Sequence, residues 1–192
     1  MRIIGGEAKG RVVHLPPGSR IRPTTDRVKE SLFNILRSVE GSTFLDLFAG
    51  SGNVGLEALS RGARFATFVE KDIRLVRALQ ASIAQLGFGS MAEVIANDAE
   101  AGLKRIVQKG DRFDIIFADP PYDQGMVGTP RRKVSPVPEW PDMRKVLAEN
   151  GIIVIQHSVR EKPEELRVQP WMVADQRRYG DTVLTFLKEN DL

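Results

Sequence analysis

The sequence predicts a single α/β domain built on a mostly parallel, seven-stranded sheet, closed by a C-terminal antiparallel pair and preceded by an N-terminal β-hairpin and helix. Three observations carry this expectation. From residue 43 to residue 156, short apolar runs alternate with stretches of helical periodicity, the rhythm of βα units that build a doubly wound sheet. The first apolar run ends in a glycine-rich turn, Gly50-Ser51-Gly52-Asn53-Val54-Gly55. The rhythm breaks at both ends, into a glycine-punctuated basic segment before residue 40 and two β-type runs after residue 165. The expected division is 1–40 for the basic hairpin and helix extension and 41–192 for the sheet domain. A chain of 192 residues suits one sizeable core and is short for two.

Taken in order, Arg2–Ile4 and Arg11–Leu15 read as short strands across a Gly-rich turn. Pro16-Pro17-Gly18 ends that pair. Thr24, Thr25 and Asp26 offer N-caps to a helix in which Val28, Leu32, Ile35, Leu36 and Val39 recur at helical spacing. Strands are then expected at Thr43–Phe48, Phe65–Val69, Ala92–Ile95 and Phe113–Ala118, with helices at Asn53–Arg61, Ile73–Leu86 and Glu100–Gln108 between them. Residues 124–141 hold Pro130, Pro136, Pro138 and Pro141 around Arg131-Arg132-Lys133. Prolines at that density cannot share one continuous helix, so a long loop on the ligand side is expected. A short helix near Met143–Glu149 and a strand at Gly151–Gln156 follow. Leu166–Val173 and Thr182–Leu187, flanking a polar turn with Tyr179-Gly180-Asp181, form the expected antiparallel pair.

The absence of cysteine excludes disulfides, thiolate chemistry and cysteine-ligated zinc. No carboxylates are spaced as a metal site, so no metal is expected. No apolar run approaches the ~20 residues needed to cross a bilayer, and the first residues lack a signal peptide's apolar stretch; a cytoplasmic protein without membrane partners is expected. Charge is unevenly spread. Residues 1–29 hold seven Lys/Arg against two acidic residues, whereas the rest holds 21 basic and 23 acidic. A basic arm on a near-neutral body suits a polyanion, although short basic stretches are often only solvated surface.

The glycine-rich turn follows Leu45-Asp46-Leu47-Phe48-Ala49, and Glu70 stands 20 residues after Gly50 at the end of the next strand. Glycines let backbone N–H groups approach a ligand at a helix N-terminus, and a carboxylate at the second strand end suits a ribose diol. This much serves a dinucleotide as well as S-adenosylmethionine. Two features favour the latter. Asp46, just before the turn, would repel a pyrophosphate and welcome a cation, and S-adenosylmethionine carries an ammonium and a sulfonium but no phosphate. Asp98, in Asn97-Asp98-Ala99 after the third strand, could accept from an adenine amino group. The bland alternative, that strand-end aspartates cap helices, is plausible for Asp98 and poor for the set.

The sharpest signal is Asp119-Pro120-Pro121-Tyr122, directly after the fourth strand. Two prolines stiffen the turn and remove two backbone donors, leaving acceptors: the Asp119 carboxylate and the Pro120 carbonyl. An amino group on an aromatic ring delocalises its lone pair and is a poor nucleophile. Acceptors on its two hydrogens turn the lone pair toward an electrophile and stabilise the charge that builds. Tyr122 would stack on the base.

These motifs together resemble the class I methyltransferases acting on exocyclic amines, with a Rossmann-like fold. Arg2-Ile3-Ile4-Gly5-Gly6, Lys9-Gly10-Arg11, Arg22-Pro23-Thr24-Thr25-Asp26-Arg27-Val28-Lys29-Glu30 and Tyr179-Gly180-Asp181-Thr182 narrow the resemblance to the RsmD family, bacterial methyltransferases for N2 of guanine 966 of 16S rRNA. The resemblance runs from residue 1 to about 188, departing mainly at 124–141. It implies S-adenosyl-L-methionine as cofactor, with Asp46, Gly50, Gly52, Glu70 and Asp98 on its site and Phe48, Lys71 and Ala99 beside them. It implies a catalytic role for Asp119, Pro120, Pro121 and Tyr122, with a flipped guanine and direct in-line transfer. It also implies that the basic segment binds 16S rRNA in the small ribosomal subunit or its precursor; Arg2, Lys9, Arg11, Arg22, Thr24 and Arg27 are the candidates. Rival readings are a DNA or RNA adenine-N6 methyltransferase, for which the chain has no room for a large target-recognition domain, a dinucleotide-dependent dehydrogenase, against which Asp46 argues, and a non-catalytic rRNA-binding assembly factor.

Overall fold

The protein is described from a computed structural model, which covers residues 1–19, 24–120, 140–160 and 170–190. Pro121, Tyr122, Arg22, most of the proline-rich loop and residues 166–169 of the expected strand lie outside the described residues.

One seven-stranded sheet runs in the order β3-β2-β1-β4-β5-β7-β6. Its strands are β1 (Thr43–Asp46), β2 (Phe65–Glu70), β3 (Ala92–Ala96), β4 (Phe113–Ala118), β5 (Leu147–Ser158), β6 (Trp171–Tyr179) and β7 (Thr182–Glu189). β1 to β5 pair in parallel, and β7 runs antiparallel to both β5 and β6. The helices are α1 (Asp26–Leu36), α2 (Asn53–Ser60), α3 (Ile73–Leu86), α4 (Ala99–Lys109) and α5 (Met143–Val146). Among the described residues no helix is long and apolar enough to cross a membrane.

Strand alternation divides the core between two faces. Phe44 faces a cluster with Leu32 and Phe33 of α1, Leu56 and Leu59 of α2, Leu79 of α3, and Ile3 and Val13 of the N-terminal segment. Its neighbour Leu45 faces the other side, with Leu103 and Ile106 of α4, Met143 and Val146 of α5, and Leu187 of β7. The helix ends obey local chemistry. Thr25 caps α1 by accepting from Val28 N, Asp72 caps α3 by accepting from Arg74 N, and Asp98 caps α4 by accepting from Ala101 N. Tyr179 and Ser31 share a hydroxyl–hydroxyl bond that ties the end of β6 to α1.

Three expectations are corrected. The N-terminal strands are shorter than expected, although the hairpin is present: Arg2 bridges Val12, with Ile3 N donating to Arg11 O at 3.0 Å, and Val13 N to Met1 O and Gly10 N to Ile3 O at 2.9 Å. Its turn also docks on the end of α2: Glu7 N donates to Ser60 O and Ala8 N to Ser60 Oγ, 2.8 and 2.9 Å. The helix expected to reach Glu149 stops at Val146. Leu147 already pairs with Phe113, and the next paired residue is Ile152, with Ile115; residues 148–151 form an irregularity around Asn150, at φ 60°. β6 continues to Tyr179 beyond the expected Val173, past a register shift between Val173 and Asp175.

Candidate active site

The C-terminal ends of β1, β2, β3 and β4 lie side by side, the edge at which open α/β sheets bind ligands. β1 ends at Asp46. The chain then turns through Gly50 and Gly52, both at positive φ, and enters α2. A Cβ on Gly52 would lie 2.3 Å from Leu79 Cδ1, and one on Gly55 would lie 2.3 Å from Phe68 Cε1. The glycine pattern therefore serves a left-handed turn and close packing of α2 on β2.

Two carboxylates hold this turn. Glu70 Oε2 accepts from Gly50 N at 2.8 Å, and Glu70 Oε1 accepts from Asp72 N at 2.8 Å. α2 has no side-chain cap at Gly52; instead Asp46 Oδ2 accepts from Gly55 N at 3.1 Å. Asp46 is buried, and burial pushes its carboxyl up to about 7; the Gly55 bond pulls the other way, and the charges of Asp119 and Glu70 add to the rise. Asp46 thus feels the carboxylates that end two neighbouring strands, Glu70 after β2 and Asp119 after β4.

The remaining candidates fall around this centre. Asp98 is exposed and spends Oδ1 on capping α4, so the helix-cap reading holds for that oxygen. Ala99 is buried as the first residue of α4, and Lys71 is exposed after β2. Phe48 is half-buried, its ring 6.3 Å from that of Trp140 at 41°. Asp119 and Pro120 follow β4, both half-buried. The other two residues of that motif lie outside the described residues.

The sequence does not single out Gln156, Asn53, Lys29 or Glu57, and the structure places them directly behind the site. Gln156, at the end of β5, donates from Nε2 to Asp119 Oδ2 at 2.8 Å. Thr24 Oγ1 donates to Gln156 Oε1 at 3.4 Å, and Asn53 Nδ2 donates to Thr24 O at 2.8 Å. Lys29 is fully buried; its Nζ donates to Asn53 Oδ1 and Arg2 O and pairs with Glu57 at 3.5 Å. Glu57 in turn accepts from Ile4 N and Arg61 Nε. The local signal for Gln156 is its place directly after the apolar run Ile152–Ile155.

Of the basic candidates, Arg2, Lys9, Arg11 and Arg27 are exposed. Arg2 pairs loosely with Asp26 at 3.7 Å, and Arg11 Nη2 donates to Gln85 O at 2.9 Å. Thr24 is buried, so its hydroxyl faces Gln156 and not the basic surface. Met1, Arg2, Val12, Thr24, Thr25, Asp26 and Asn53 line a shallow groove between that surface and the start of α2.

Comparison with known proteins agrees with this architecture. The family model described as Conserved hypothetical protein 95 matches residues 1–188. The chain is 36% identical over 190 residues to the Bacillus subtilis protein YlbH, covering 98% of this chain and 99% of that one. It is 44% identical over 128 residues to the Ribosomal RNA small subunit methyltransferase D of Escherichia coli K12, covering 66% of this chain and 63% of that protein. The solved structure of yhhF from Escherichia coli superposes with a TM-score of 0.80 at 30% identity, covering 100% of this chain and 99% of that chain.

Proposed function

The chain belongs to the RsmD family, and we propose that it uses S-adenosylmethionine to methylate the exocyclic N2 amine of a guanine in 16S rRNA, at the position equivalent to guanine 966. The observation that carries the reading is the acidic strand edge. Asp46 is buried with its carboxyl pushed up to about 7, in part by Asp119 and Glu70. Such a site gains from a cationic ligand and loses from a pyrophosphate. The ammonium and sulfonium of S-adenosylmethionine meet that demand, whereas a nicotinamide dinucleotide would bring phosphates to an edge already crowded with carboxylates.

In this reading Asp46 and Glu70 hold the cofactor's cationic and ribose ends, and the Gly50–Gly52 turn lets the backbone come close. When bound, the cofactor supplies an electrophilic methyl group. Asp119 and the Pro120 carbonyl accept hydrogen bonds from the two N–H groups of the target amine, aim its lone pair along the line of transfer and stabilise the positive charge that develops, until one N–H proton is lost to solvent. Residues 1–40 form the RNA-facing arm: Arg2, Lys9, Arg11 and Arg27 contact phosphates, and the groove beside Arg2 and Asn53 leads the flipped base to the strand edge. The partner is 16S rRNA in the small ribosomal subunit or its precursor.

The test is to incubate the protein with methyl-labelled S-adenosylmethionine and small subunits from cells lacking it, digest the RNA and identify the labelled nucleoside. N2-methylguanosine at one site is expected. Label in N6-methyladenosine would replace the base but keep the chemistry. No label in any nucleic acid would leave RNA binding alone.

A further inference from the structure

We propose that Gln156 is a positioning residue for methyl transfer, its amide holding the Asp119 carboxylate in the orientation that receives the target amine and being itself fixed by Thr24. This rests on the reading of Asp119 as the amine's acceptor. Gln156 is buried at the end of β5, where the parallel register that pairs Ala118 with Ile155 brings the following residues of both strands together. A carboxylate only accepts, so the Gln156 NH2 must face Asp119 Oδ2, at 2.8 Å. That choice turns Oε1 the other way, onto the Thr24 hydroxyl at 3.4 Å. An amide with both ends engaged has one stable orientation.

The consequence for the reaction follows from geometry. Asp119 stands in a half-exposed turn, and the Gln156 amide fixes the direction of one of its oxygens, Oδ2. A buried neutral donor restrains it without adding a charge that would compete with the incoming amine. The hold is anchored in the N-terminal arm, because Thr24 O accepts from Asn53 and Asn53 accepts from Lys29, which is bonded to Arg2 O. The arm that faces RNA and the acceptor that faces the amine are two ends of one hydrogen-bonded chain.

The experiment compares wild type, Gln156→Leu, Thr24→Val, the double variant and Asp119→Ala, measuring kcat with saturating subunits, the Kd for S-adenosylmethionine and thermal unfolding. Gln156→Leu is expected to lower kcat by about 10- to 100-fold, the effect of losing a hydrogen bond to a charged group, with cofactor Kd unchanged within about twofold. Thr24→Val should lower kcat in the same direction by less, and add little to Gln156→Leu. Wild-type kcat in Gln156→Leu beside an inactive Asp119→Ala overturns this proposal alone. Parallel losses of kcat, cofactor affinity and melting temperature also overturn it, because they mark a merely structural glutamine. If Gln156→Leu does not fold, Thr24→Val decides: unchanged kcat overturns the proposal. An active Asp119→Ala overturns the reading of Asp119 and this inference with it.

Discussion

Glu70 Oε2 accepts the Gly50 N–H at 2.8 Å, so the carboxylate that ends β2 closes the glycine turn that follows β1. One side chain both builds the turn and stands at the ligand edge. Glu70→Ala leaves the Gly50 and Asp72 N–H groups without this partner. The expected cost is about 1–3 kcal/mol in unfolding free energy, read from the urea midpoint. Cofactor affinity should fall at least tenfold by calorimetry. Wild-type affinity in a stably folded variant would remove Glu70 from the cofactor site.

Asp46 trades stability for charge. Its carboxyl rises from 3.8 to about 7 in the fold, so the folded protein holds a proton that the unfolded chain releases. Stability therefore falls as pH rises from about 3.8 to about 7 and is level above that window; the full shift corresponds to on the order of 4 kcal/mol. Asp46→Asn keeps an acceptor for Gly55 N–H and does not titrate. Its melting temperature should exceed wild type by several degrees at alkaline pH, an advantage that narrows through the window as pH falls. Its affinity for S-adenosylmethionine should drop more than tenfold. A pH-independent difference between the two melting curves would contradict the assignment.

Lys29 and Glu57 are both fully buried, 3.5 Å apart. Lys29→Met takes one of two cations from Glu57, which keeps Arg61 Nε at 2.7 Å, so the loss should stay below the ~3 kcal/mol of leaving a buried charge unpaired. The double variant Lys29→Met, Glu57→Gln should lose less than the two single losses added together. Chemical denaturation of the four proteins measures the coupling, and simple additivity would show that the pair contributes nothing as a pair.

The exposed Arg2, Lys9 and Arg27 are expected to meet phosphates. Replacing all three by Ala should weaken RNA binding and flatten its dependence on salt, by about 0.7–0.9 in the logarithmic slope for each phosphate no longer neutralised. Cofactor affinity should not move. An unchanged slope in filter binding across a salt series would return these side chains to ordinary solvated surface.

Much of this is legible in the chain. Glu70 and Asp119 stand where an apolar run stops, and Asp46 and Gly50 mark the first run and its glycine turn; alternation places these strand ends together whatever the details of packing. Gln156 also ends an apolar run, but nothing local shows that it meets Asp119, and Lys29 gives no such signal. Lys29 lies one residue from Val28 in a helix whose polar face looks solvated on paper, yet its Nζ meets Arg2 O, Asn53 and Glu57, partners from other segments of the chain. The end of α5 departs from expectation for a related reason: Leu147 through Glu149 suit a helix locally, but Phe113 claims Leu147 for the sheet. Long-range pairing overrides local preference in both cases.

The order of the sheet also governs how the protein comes into being. β7 is synthesised after β6 yet lies between β5 and β6. When β5 has left the ribosome it therefore has an open flank, and the next strand to emerge is not the one that will cover it. β6 and β7 are joined at Gly180-Asp181, and an isolated two-stranded hairpin is marginal in water, so their pairing is secured when β7 docks on β5. Until it does, the flank of β5 is an unpaired edge open to wrong partners. The end of β5 that carries Gln156 is thus completed only by the last described strand, where Gln156 pairs with Leu184 of β7.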